Sequence, residues 1–112
     1  MKKEHIFVYG MFRDTAKSLL EETVFCGKAF VSGKIYKVNN FYPGFKREQI
    51  GKVWGDVFLI SSDVIHKLDE FEGHEYTREK IITSTDVDCW IYVFNGDVSG
   101  YEEIKGGDWL LR

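Results

Sequence analysis

The segment LDEFEGHEYTR, residues 68–78, sets Asp69, Glu70, Glu72 and Glu75 around a single phenylalanine, Phe71. A carboxylate in water stays ionised over most of the pH range. One turned toward apolar neighbours has its charged form disfavoured, so its pKa rises and it can take and give a proton near neutrality. Which acid points inward follows from helical phase. At about 100° per residue with Leu68 at zero, Val64, Ile65 and Phe71 fall within about 60° and define a core-facing arc. Glu72 falls at about 40°, inside the arc, whereas Asp69 lies on its flank at about 100° and Glu70 points away at about 200°. Glu75 follows Gly73, where the helix should stop. Phase therefore selects Glu72 as the candidate general acid/base. A helix that ends by Phe71 would instead leave Glu72 in a wet turn, and phase alone leaves both readings open.

Two other groups of residues have chemical potential. His66, Glu70 and His74 recur at i, i+4 and i+8, a spacing seen in metal sites. Gly73 interrupts the helix before His74 and no further ligand is evident, so a solvated polar face accounts for them better and no metal is expected. The stretch FVYGMFR ends a strand at Gly10 and turns toward a helix. Such a junction can aim consecutive backbone N–H groups outward as an anion or oxyanion site.

The elements that position these groups can be read from the surrounding pattern. HIFVYG reads as a buried first strand, and DTAKSLLEE as a short helix with Asp14 at its N-cap. From Val24 to Val38 the chain alternates, with Gly27 and Gly33 marking bulges or a bend. NNFYPGF is a turn by its Asn, Pro and Gly content, and KVWGDVFLI is the next strand. Ser61 or Ser62 caps the helix DVIHKLDEFE, and YTREKIITS and VDCWIYVFNG form two strands joined near Asp86. About six strands and two short helices predict an α+β fold, a small mixed β-barrel, in a single domain spanning residues 1–112.

Composition narrows the function classes. The 15 basic and 18 acidic side chains leave a net charge of -3 with no basic block, which argues against a nucleic-acid surface. No apolar run reaches the roughly 18 residues of a membrane span, and MKKEHIFVYG is too short and too interrupted for a secretion signal. Cys26 and Cys89 form no metal-type pair, so two free thiols in a cytoplasmic protein are expected. Size and charge are compatible with a monomer.

Three segments together resemble the gamma-glutamylcyclotransferase-like family, particularly the branch of gamma-glutamylamine cyclotransferases and plant avirulence-induced proteins. IFVYGMFR is similar to its opening Tyr-Gly-Thr/Ser-Leu-Arg strand and loop. GKIYKVNNFYPGF matches its Gly-x-Leu-Tyr…Tyr-Pro-Ala/Gly segment, and LDEFEGHEYTR matches its Leu-Asp-x-Phe-Glu-Gly…Tyr-x-Arg signature. The resemblance covers nearly the whole chain. Met11 and Phe12 stand where the family usually has Thr or Ser and Leu.

The resemblance implies a small β-barrel in which the loop of Tyr9, Gly10, Met11 and Phe12 binds a gamma-glutamyl group largely through backbone amides. It also implies that Glu72, already selected by phase, faces that loop as general acid/base. The implied reaction cyclises a gamma-glutamyl amide to 5-oxoproline and releases an amine or amino acid, with no cofactor. Tyr42, Tyr76 and Tyr36 are candidates for the cavity wall, with Tyr42 and Tyr36 at least as well suited to the core. Tyr76 and Arg78, on one face of a strand, are expected chiefly to brace the barrel. The alternatives on the same fold are a non-catalytic module that binds a small ligand or peptide, and hydrolysis using the same Glu.

Overall fold

The computed structural model describes residues 2–10 and 23–112. Six strands form one mixed sheet: β1 (Lys3–Val8), β2 (Val24–Lys37), β3 (Pro43–Ser61), β4 (Tyr76–Ile82), β5 (Asp88–Phe94) and β6 (Glu102–Glu103), in the order β4-β5-β1-β3-β2-β6. Only the β1–β5 pairing is parallel, at Ile6 and Trp90; the other neighbours are antiparallel. Among the described residues one α-helix, α1 (Ser62–Glu72), follows β3 directly, and a 3-10 turn at Gly73–Glu75 leads into β4. The helix expected at residues 14–22 lies outside the described residues.

The sheet curls into a half-barrel because its longest hairpin is broken twice. The β2–β3 register shifts between Phe25 and Gly27 and again between Ser32 and Gly33, the two glycines marked by the sequence. At the second break Ser32 faces Lys52 while Gly33 faces Arg47, so residues 48–51 are extra on β3. The hairpin end folds back, bringing Phe45 against Tyr9 with ring centroids 5.7 Å apart. Lys46 Nζ then donates to the Phe94 carbonyl (2.6 Å), and Arg47 reaches Glu79 (2.9 Å) and the Lys80 carbonyl on β4. Side chains thus bridge the side that sheet hydrogen bonds leave open.

Alternation along the central strands builds two apolar clusters. Phe7 of β1 and Tyr9 just beyond its end, Val53 and Val57 of β3, and Cys89 and Ile91 of β5 face the inside of the curl. Ile6, Phe58, Ile60 and Tyr92 face the other way and pack on α1 through Ile65, with Val64 and Leu68 partly buried beside it. Ile65 is the one fully buried residue of the helix, a contribution of about 1.5–3 kcal/mol. Ser61 caps α1 by accepting from the Val64 N–H at 3.4 Å. Gly73 ends it at φ 67°, its N–H donating to the Asp69 carbonyl. A Cβ is disfavoured at that φ, so the stop is written into the residue type.

KVWGDVFLI proves to be the second half of a 19-residue strand beginning at Pro43. Its first half is hidden in the sequence because residues 47–52 are exposed and mostly polar, without apolar alternation. Phe71 is a further correction: it is 73% exposed, although its phase matches the core-facing arc. The last turn of α1 overhangs a cavity instead of the sheet.

Candidate active site

A cavity of about 300 Å³ opens between the helix-facing side of the sheet and α1. Strand β1 supplies its floor through Ile6 and Val8, continued by Tyr9 just past the strand, and β3 supplies Phe58 and Ile60. Leu68, Phe71 and Glu72 come from the last two turns of α1, with Gly10, Tyr42 and Pro43 on the wall as well. Tyr9 and Gly10, the described part of the loop after β1, therefore meet Glu72, Tyr42 and Tyr76 in one cavity.

Helix α1 runs through Glu72, so the phase holds to that residue and the wet-turn alternative does not apply. The Glu72 carboxyl lies among apolar side chains. Burial, followed by the negative charge of Glu75, raises its pKa from 4.5 to about 7. Near neutral pH such a group is close to half ionised, the condition under which one carboxyl serves as both base and acid. Glu75 is a correction to the reading by helical phase. Although it lies past the helix stop, the 3-10 turn brings it back onto the cavity wall.

Asp69, on the flank of the helix, has a different environment. Arg78 donates to both its oxygens, at 2.8 and 3.0 Å, and the Tyr92 hydroxyl donates to Oδ1 at 2.8 Å. Burial alone would raise its pKa, but the hydrogen bonds from Arg78 and Tyr92 and the guanidinium charge more than offset this and hold it below the usual range. Two carboxylates one helical turn apart are thus tuned in opposite directions. Arg78 also lies over the Trp90 ring at 4.1 Å, so it clamps the helix end to β4 and β5.

Tyr92 escaped sequence reasoning, yet it joins both sides of the cavity. Its hydroxyl holds Asp69 on α1, while its carbonyl accepts from the buried Tyr9 hydroxyl at 2.6 Å. The Tyr9 hydroxyl in turn accepts from the Phe45 N–H at 3.2 Å. The alternation of CWIYVF offers the only signal, since it places Trp90 and Tyr92 on one face. Tyr9 lines the cavity with its hydroxyl already committed to the core.

Gly10 lies against Pro43, where an added Cβ would come 3.0 Å from the proline Cδ. Pro43 is itself fixed by the Tyr76 hydroxyl, which donates to its carbonyl at 2.7 Å. Beside it, Asn39 Oδ1 accepts from the N–H groups of Phe41 and Tyr42, at 2.8 and 3.0 Å, which sets the turn carrying Tyr42. Tyr42 and Tyr76 both line the cavity, and Tyr36 lies on β2 outside its wall. Met11 and Phe12 lie outside the described residues.

The His66, Glu70, His74 face does not persist as a ligand set. The helix ends at Glu72 and places His74 in the 3-10 turn, while His66 Nδ1 lies 4.0 Å from Asp69. Among the described residues no three His, Cys, Asp or Glu side chains are grouped to hold a metal ion. Cys26 is exposed and Cys89 buried, both as free thiols. No described helix is long and apolar enough to cross a membrane.

A family model described as gamma-glutamyl cyclotransferase, AIG2-like, matches residues 6–111. The chain belongs to this family. The gamma-glutamylcyclotransferase family protein YtfP of Escherichia coli K12 is 31% identical over 112 residues, which cover 96% of each chain. The solution structure of ytfP from Escherichia coli superposes with a TM-score of 0.78 over 95% of this chain and 96% of that one. The crystal structure of an AIG2-like protein from Mus musculus superposes with a TM-score of 0.76, covering 90% and 83% of the two chains. At 20% identity that likeness shows the fold alone. The expected α+β fold with about six strands is that of the family, its barrel taking the form of a curled half-barrel sheet.

Proposed function

We propose that the protein is a cyclotransferase that closes a gamma-glutamyl amide to 5-oxoproline, with Glu72 as the proton carrier. The observation that supports this most directly is a carboxyl with a pKa of about 7, on the wall of a largely apolar cavity that also contains Gly10. The substrate's α-ammonium must lose a proton before its nitrogen can attack the γ-carbonyl, and Glu72 accepts it. The new C–N bond closes a five-membered ring, and the old amide C–N bond breaks as the tetrahedral intermediate collapses. The attacking nitrogen loses two protons in all and the leaving nitrogen gains two, departing as an ammonium, so Glu72 ends in its starting state.

Apolar walls assist by holding the substrate folded, with nitrogen and carbonyl in contact, a proximity effect that supplies a large part of the barrier reduction. Backbone N–H groups of the loop from Tyr9 to Phe12 are assigned to the substrate carboxylate or the developing oxyanion. The test is incubation of purified protein with a panel of gamma-glutamyl amides, with products identified by mass spectrometry. Release of 5-oxoproline supports the reading, whereas glutamate would show hydrolysis. Absence of turnover across the panel would refute the reading.

A further inference from the structure

Glu75 reaches the cavity wall on the three-residue turn Gly73–Glu75, which is too short for its own hydrogen bonds to fix in place. Asn95, the residue after β5, holds it from outside. The Asn95 N–H donates to the Glu75 carbonyl at 2.8 Å, and its side-chain Nδ2 donates to the His74 carbonyl at 2.9 Å. The first bond continues the β4–β5 ladder one step past its last pair, Tyr76 with Phe94. The Thr77 hydroxyl donates to Asn95 Oδ1 at 2.7 Å. A carbonyl can only accept, so the amide nitrogen must face His74 and the amide oxygen must face Thr77. One exposed side chain thus grips both the turn and the strand that follows it.

The grip matters because of what the turn carries. Glu75 and Glu72 share the cavity wall, and the Glu75 charge adds to burial in raising the Glu72 pKa. The other ionisable groups on the described wall are phenols: Tyr76 on β4, Tyr9 after β1, Tyr92 on β5 and Tyr42 before β3. Burial holds the first three above the ordinary phenol range, so they stay neutral near neutrality. Asp69, one turn back on α1, is held by Arg78 and Tyr92. A Glu75 carboxylate on a freed turn would move into water, where its field at Glu72 is screened.

We propose that Asn95 is a positioning residue of the site, pinning the His74 and Glu75 carbonyls so that the Glu75 carboxylate stays on the same wall as Glu72. Asn95 lies outside that wall and acts through the turn. The role deepens the cyclotransferase reading, because the group tuned in this way is its proton carrier.

NMR of the isotope-labelled Glu72 carboxyl carbon, assigned by its loss in Glu72→Gln, reads the effect without substrate. Asn95→Ala removes the Nδ2 and Oδ1 contacts and adds no charge. Its Glu72 titration midpoint should fall below the native one by about half a pH unit, the size of one like-charge contact screened by water. In a Glu75→Gln background the same substitution should move the midpoint less than half as far, since the charge being positioned is gone. A merely structural role would move both backgrounds alike. Thr77→Val is the milder probe, because it keeps Asn95 and removes only the hydroxyl that orients its amide. It should lower the midpoint in the same direction, and Thr77→Ser should restore it. An unchanged midpoint in Asn95→Ala, or a shift that persists by half or more in the Glu75→Gln background, overturns the inference. Should Asn95→Ala fail to fold, equal midpoints in Thr77→Val and Thr77→Ser overturn it instead. Failure of every gamma-glutamyl amide to yield 5-oxoproline would remove the cyclotransferase reading and leave the NMR result standing, so the two are tested apart.

Discussion

Replacing Glu72 with Gln should inactivate the protein and stabilise it in the same step. The substitution keeps the shape of the side chain but removes its ability to carry a proton. General acid/base catalysis by one group is worth about 10²–10⁴ in rate, and Glu72 is assigned to both proton transfers, so a loss toward the upper end is expected. The stability effect follows from the carboxyl's pKa of about 7 in the folded protein against 4.5 for an ordinary Glu. Below pH 4.5 the group is protonated whether folded or unfolded and contributes no difference. As pH rises from 4.5 toward 7 the unfolded chain releases the proton first, so stability falls, and above about 7 the loss is complete.

At about 1.4 kcal/mol per pH unit this loss is about 3 kcal/mol. Glu72 is only partly withdrawn from water, and screening reduces the figure to about 1–2 kcal/mol. Gln is neutral throughout and avoids the loss. Urea denaturation at pH 8 should therefore find Glu72→Gln more stable than the native protein by about 1–2 kcal/mol, with the difference vanishing near pH 4. Activity is read as 5-oxoproline released from a donor that the native protein turns over. The reasoning fails if the variant keeps activity within tenfold of native. It fails equally if its stability relative to native does not change between pH 4 and pH 8.

Two further perturbations test the surroundings of Glu72. The base must be ionised in the free enzyme, so kcat/KM should rise through pH about 7; Glu75→Gln removes a neighbouring charge and should move this limb modestly to lower pH in a pH–rate profile. Tyr9→Phe strands the Phe45 N–H and the Tyr92 carbonyl in the core, and chemical denaturation should show a loss of about 1–3 kcal/mol.

Much of this site was legible in local chemistry. Ser61, the spacing of Val64, Ile65 and Leu68, and Gly73 are enough to define where α1 starts, which side it buries and where it stops. Those three facts fix the direction of Glu72, because helical phase depends only on the chain nearby. Gly27 and Gly33 marked the bends of β2 for the same reason: the signal lies in the residue that bends.

What lay beyond the sequence depends on partners distant along the chain. Nothing near Asp69 in sequence says that Arg78 and Tyr92 converge on it, and nothing near Tyr92 says that its carbonyl will hold Tyr9, 83 residues away. The exposure of Phe71 and the return of Glu75 to the cavity depend on what α1 overhangs, which a wheel cannot show. By itself the sequence determined most of the described elements, the face that α1 buries through Val64, Ile65 and Leu68, and the direction of Glu72, since propensity, capping and phase are local properties. Tertiary structure alone decided how far that acid is desolvated, which carboxylate is neutralised and what lines the cavity. Burial and electrostatic coupling act through space, between groups that only the folded sheet brings together.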